Sequence, residues 1–156
     1  MLRRIAVPAA LAVIFSACER GESPQARDAR IRAARADSVA MAEVAYDASA
    51  FDTIAWATPA ARLERGGVVW TFSCQRCHGP DGRGGGELAV QHGLEVPSVV
   101  APDWAYAGVV PAIRHRIFVG HTGEMPNWGL HGLKYRDIDA VAAYIEEVLR
   151  PAASSR

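Results

Sequence analysis

A chain of 156 residues suits one ordinary domain with appendages. Its 17 basic side chains balance 17 acidic ones, so no basic stripe suggests nucleic acid and no acidic tail is present. Half of the residues are hydrophobic, which allows a core, but much of that fraction is alanine and buries little.

Met1 to Ala17 has the form of an export signal, with Arg3 and Arg4 at its positive start and an apolar run from Ile5 to Phe15. The run is short for a span, since a helix needs about 20 apolar residues to cross a bilayer. Ser16 and Ala17 are small and lead into Cys18. The segment resembles a bacterial lipoprotein signal, although Phe15 stands where that pattern prefers Leu. The resemblance implies lipidation of Cys18 and a protein held at a membrane, facing the periplasm or outer surface. Ordinary signal-peptide cleavage nearby, or an uncleaved anchor, stays open.

Residues 18–58 read as a tether with partial helix. Glu19 to Pro24 is polar and broken by Gly21 and Pro24. Gln25 to Asp47 has no Gly or Pro and favours helix. Its apolar residues Ile31, Val39, Met41, Val44 and Tyr46 make no clean stripe. A solvated spacer is therefore expected in preference to a docking segment, with Met41 as a packing residue. Phe51, Ile54 and Trp56 are expected to lie back on the following domain, because three large apolar groups seldom float free.

Ala60 to Cys74 reads as a helix opened by Pro59. Gly66 and Gly67 are costly within it unless another helix crosses at close range. Its end is Cys74-Gln75-Arg76-Cys77-His78, the C-x-x-C-H signature of c-type haem attachment. Two thiols add to the vinyl groups of one porphyrin, and the adjacent His78 is placed to bind iron from the proximal side. A thioredoxin-like dithiol would want a βαβ setting, and a zinc site further ligands at short spacing. Neither surrounds this motif. Gly79 to Gly86, with five glycines and a proline, is expected to be a surface loop.

Leu94 to Pro111 is interrupted by three prolines and reads as irregular. Ala112 to Val119 reads as a short helix, and Gly120 to Gly129 as a loop containing Met125-Pro126. Arg136 to Arg150 is the best helix of the chain. Ile138, Val141, Ile145 and Val148 form its apolar stripe, and Pro151 is expected to stop it, leaving residues 152–156 as a disordered tail. The first helix should cross the last where Gly66 and Gly67 meet that stripe, with Tyr144 at the edge.

From about Pro59 to Pro151 the order of parts resembles a class I monohaem cytochrome c: a helix ending in C-x-x-C-H, a glycine-rich loop, a Met-Pro loop and a C-terminal helix. The resemblance implies an all-α fold of about three to five helices around one covalently bound haem c, in a haem domain spanning 59–151. It implies covalent attachment through Cys74 and Cys77, His78 as proximal ligand and Met125 as distal ligand. A thioether is a soft neutral donor that raises the reduction potential relative to a second imidazole. His121 is the alternative distal ligand, while His92, His115 and His131 are further histidines. Pro97 resembles the proline whose carbonyl accepts a hydrogen bond from the proximal imidazole. Trp104 and Trp128 are candidates for packing on the macrocycle. Lys134 stands where relatives often carry a Ser or Thr cap, so the start of the last helix is expected to be frayed or shifted by a residue or two.

The function expected is electron transfer between redox partner proteins rather than catalysis by the chain itself. A permanent haem subunit of a larger respiratory or photosynthetic membrane complex is the alternative. A gas-binding or sensory protein with an open distal site is a third reading, and no distal acid-base pair supports it.

Overall fold

The computed structural model describes residues 22–155. The signal segment, Cys18 and the first residues of the tether lie outside the described residues. Every regular element among the described residues is helical, with no strand.

Helix α1 (Pro24–Ala45) opens with Ser23, whose hydroxyl accepts from the Ala26 N–H, and Pro24 takes the first helical position. The helix is longer and more useful than a spacer. Arg35, Ser38, Val39, Ala42 and Tyr46 all face inward, and Ala42 is fully buried. Their spacing of three or four marks one helical face, so the C-terminal half of α1 docks on the rest of the molecule. Met41 points the other way and is 65% exposed, so it packs on nothing and corrects the packing role expected of it. After α1 a 3-10 turn (Ala48–Phe51) buries Phe51. Trp56 donates its indole N–H to Asp139 at 2.7 Å. As expected, both aromatic groups lie back on the domain.

Helix α2 (Pro59–Val69) is capped by Thr58, whose hydroxyl accepts from the Ala61 N–H at 3.0 Å. It passes without a break through a wide π turn (Trp70–Cys74) into α3 (Gln75–His78), with the Gln75 N–H reaching back to the Trp70 carbonyl. Helix α4 (Glu87–His92) and α5 (Val110–Val119) follow. Helix α6 (Tyr135–Tyr144) continues through a second π turn (Ile145–Leu149) into α7 (Arg150–Ser154).

The most extensive helix contact is between α2 and α6. Gly66 is the close-approach glycine. A Cβ there would strike the Ala140 carbonyl oxygen and lie 2.6 Å from Tyr144 Cβ. Gly67 faces only the Tyr144 ring, at 3.2 Å. The crossing therefore rests on Ala140 and Tyr144, while Ile138, Val141 and Ile145 are buried in the core beside it.

Two local expectations are corrected. The stripe on the last helix continues at Leu149, which is buried, and not at Val148. A π turn holds one residue more than an α turn, so the register advances by one. Pro151 does not stop the helix, which runs on to Ser154. The preceding wide turn relieves the clash that a proline ring ordinarily makes with the carbonyl four residues back. As expected, the start of the last helix is shifted by one residue: α6 begins at Tyr135, where the Asp137 carboxylate accepts from the Lys134 N–H at 3.2 Å.

Candidate functional site: an apolar cleft walled by the C-x-x-C-H helix and the methionine loop

Two adjoining cavities, of about 290 and 540 Å³, share Cys74, His78, Pro97, Ile117, His121 and Met125 as wall residues. The first is also lined by Trp70, Trp104, Tyr106 and Ile113, and the second by Cys77 and Trp128, with the exposed Phe72 at its rim. The joined space is within the range of cofactor clefts, about 300–1,000 Å³, and its lining is mostly apolar as such clefts require. Both cysteines, both candidate axial ligands, Pro97, Trp104, Trp128 and the alternative ligand His121 thus border one cleft. His92 lines the second cavity. His115 instead pairs with Glu43 at 2.8 Å, and His131 bonds the Asn127 carbonyl at 3.0 Å, both away from it.

Local structure explains why the motif stands as it does. The helix end at His78 is closed by the glycine loop, which is no loose excursion. Gly84 donates to the His78 carbonyl at 2.9 Å and Gly86 to the Cys77 carbonyl at 3.1 Å. Gly84 has φ +84°, and a Cβ there would strike the Val96 carbonyl, so only glycine passes between the motif and the strand of chain that leads to Pro97. Val99 donates to the Gly82 carbonyl at 2.9 Å, which fixes Pro97 beside the imidazole.

The electrostatics favour neutral groups. Burial pushes the Cys74 thiol up to about 12, helped by the nearby Cys77. A reactive or redox-cycling dithiol needs the opposite shift. Burial also lowers the pKa of His78. The Pro97 carbonyl opposes that shift, and the neighbouring His121 adds to it. The imidazole is accordingly neutral, the form that binds a metal. Its Nδ1 is buried, and no acceptor reaches hydrogen-bond geometry with it.

His121 is engaged differently. Its Nδ1 accepts from the Gly123 N–H at 2.9 Å, which places its proton on Nε2. Ligation through Nε2 would demand the other tautomer and break that turn. Met125 carries no such commitment: only its carbonyl is bonded, to the His121 N–H at 3.2 Å.

Sequence reasoning did not single out Tyr106 or Arg116. Arg116 is the one permanently charged side chain on the first cavity. Its guanidinium donates to the Tyr106 hydroxyl at 2.6 and 3.0 Å and to the Gly120 carbonyl at 3.0 Å. Among the described residues no group of three or more His, Cys, Asp or Glu side chains could hold a metal ion. These residues fit a c-type haem: paired thiols, a neutral imidazole and a thioether on one apolar cleft.

Comparison with known proteins agrees. The chain is 32% identical over 91 residues to the Cbb3-type cytochrome c oxidase subunit CcoP of Azospirillum brasilense, covering 58% of this chain and 30% of that protein. It is also 32% identical over 94 residues to CcoP of Rhodobacter capsulatus, covering 56% of this chain and 30% of the relative. Subunit FixP of Azorhizobium caulinodans matches at 32% over 88 residues, 56% of this chain and 27% of the relative. The chain thus spans about a third of the length of these relatives. No solved structure matches it. Residues 61–145, from the first turn of α2 to the start of the second π turn, match the family described as Cytochrome C oxidase, cbb3-type, subunit III. With more than half of its length in that match and Cys74, Cys77, His78 and Met125 inside it, the chain belongs to the cbb3-type cytochrome c oxidase subunit III family of c-type cytochrome domains.

Proposed function

We propose that the chain is an electron-transfer module carrying one haem c, attached through Cys74 and Cys77 and ligated by His78 and Met125. The single observation that carries this reading is the cleft on which all four residues meet. The bound haem would supply reversible one-electron chemistry between ferric and ferrous iron. The protein's own part is to hold that chemistry in place. Neutral Cys74 and His78 add no charge to an apolar pocket. The Pro97 carbonyl beside the imidazole would, on closing to the buried and unbonded Nδ1, favour the tautomer in which Nε2 is free for the metal. Arg116, braced by Tyr106 and Gly120, suits the anionic side chains of the macrocycle. Trp104 and Trp128 exclude water from either side of the cleft.

The domain extends over residues 59–151, and its working place is a membrane facing the periplasm or outer surface. No helix among the described residues is long and apolar enough to cross a membrane, and Cys18, as a lipidated residue, would supply the anchor. The relatives' names as oxidase subunits favour a standing association with a membrane electron-transfer complex over free shuttling.

The direct experiment is the visible spectrum of the expressed protein, oxidised and then reduced with dithionite. Sharp α and β bands of low-spin c-type haem are expected on reduction, with a weak far-red sulfur-to-iron band when oxidised. A high-spin spectrum with ready carbon monoxide binding would replace the electron-transfer reading by a gas-binding one.

A further inference from the structure

Helix α1 lies outside the span matched by the family, yet it forms part of the support of the methionine loop. Asn127, two residues after Met125, is only 4% exposed. Its side-chain amide donates to both the Ser38 carbonyl, at 2.8 Å, and the Ser38 hydroxyl, at 2.6 Å. Glu124, immediately before Met125, is the one non-glycine residue at positive φ among the described residues, at +82°. Such a backbone is strained for a residue with a side chain, and the Glu124 carboxylate is paired with Arg35. Arg35 and Ser38 are three apart and share one face of α1. The two ties thus grip the loop on both sides of Met125. A methionine side chain has three rotatable bonds, so its sulfur is placed reproducibly only if its backbone is fixed.

We propose that Arg35 and Ser38 are positioning residues for the distal ligand, through which α1 determines how firmly the Met125 thioether holds its place. This rests on the reading of Met125 as the distal ligand. The groups are linked by hydrogen bonds and an ion pair, so the clamp can be weakened from α1 without touching the cleft. A small neutral ligand that competes for the same position reports its strength.

The test uses the full-length holoprotein, with carbon monoxide as the probe of the ferrous form and the far-red band as the probe of the ferric form. Arg35→Ala, and Arg35→Ala combined with Asn127→Ala, should raise carbon monoxide affinity, the double variant by about tenfold or more, the usual consequence of removing outer-shell support. The far-red band should weaken in parallel, while covalent haem content and helical circular dichroism stay as in the wild type. Arg35→Lys should restore wild-type behaviour, and Arg32→Ala, on the exposed face of α1, should show it throughout. Because the Arg35 pair is partly exposed, its single variant folds even if the double variant does not. Unchanged carbon monoxide affinity and an intact band in Arg35→Ala would overturn the clamp and leave the Met125 reading standing. A wild type that lacks the band and binds carbon monoxide freely would overturn both.

Discussion

Asp139 on α6 accepts the Trp56 indole N–H at 2.7 Å, tying the segment before α2 to the most buried helix of the domain. The same carboxylate accepts from Arg62 Nε and Nη2, both at 2.9 Å, and pairs with Arg114. Burial alone would raise its pKa, but the bonds from Arg62 and Trp56 and the two guanidinium charges prevail and lower it below 3.8. A carboxyl with a folded pKa below its unfolded value contributes stability in full above the unfolded value. That contribution is lost as pH falls from there through the folded pKa. Asp139→Asn should therefore cost about 3–5 kcal/mol at neutral pH, since it leaves Arg114 without its counter-ion in a largely dry site and Arg62 with only the exposed Glu147. Urea unfolding midpoints measured from pH 7 down to pH 2 check both parts. The variant should lose less stability than the wild type below about pH 4. Parallel acid profiles would contradict the assignment.

Gly66 and Gly67 should respond differently to the same substitution. Gly66→Ala drives a methyl group into the backbone of Ala140 and against Tyr144 Cβ, which cannot move without separating α2 from α6. Overpacking of this kind costs about 1–3 kcal/mol. At Gly67 the obstacle is an aromatic ring at 3.2 Å that can swing outward. Gly67→Ala should then be near neutral, because alanine gains about 1 kcal/mol of helix propensity. Gly67→Leu exceeds what the ring can yield and should destabilise. Thermal midpoints of the three variants settle the order.

Met125→Ala should leave haem covalently attached, abolish the far-red band, lower the reduction potential and open the ferrous form to carbon monoxide. His121→Ala should keep the band, because His121 Nδ1 is already held by Gly123. The opposite result, a silent Met125→Ala beside a changed His121→Ala, would transfer the distal role to His121.

Cys18→Ser should abolish lipid labelling and leave the spectrum of the haem domain unchanged. Recovery of the wild type from the soluble periplasmic fraction, with an N-terminus other than Cys18, would end the lipid-anchor reading.

Much of the site is legible in the sequence because haem attachment needs fixed spacing in one helical turn, and Met-Pro in a glycine-bounded loop stands out. Leu149, Pro151 and α1 show what is not. A stripe counted at constant helical period misses Val148 giving way to Leu149 once a wide turn intervenes. The docking face of α1 consists of Arg35, Ser38, Val39, Ala42 and Tyr46, a mixture of charged, small and aromatic groups. A search for apolar periodicity passes over a face that binds through an ion pair and an amide. Arg116 and Tyr106 are equally silent, since nothing local distinguishes a guanidinium that lines a cleft from one in solvent.

The π turn at Trp70–Cys74 divides one continuous helix into two independently phased segments. Upstream, the phase is set by Gly66 against α6; downstream, by the need to present Cys74, Cys77 and His78 to the cleft. Removal of one residue from the turn, such as the solvent-facing Phe72, would restore regular α-helix and rotate one segment against the other by about 100°. The molecule would keep its helical crossing and lose the aim of its motif. Packing and cofactor attachment are thus free to drift separately, with a single inserted residue acting as the joint between them.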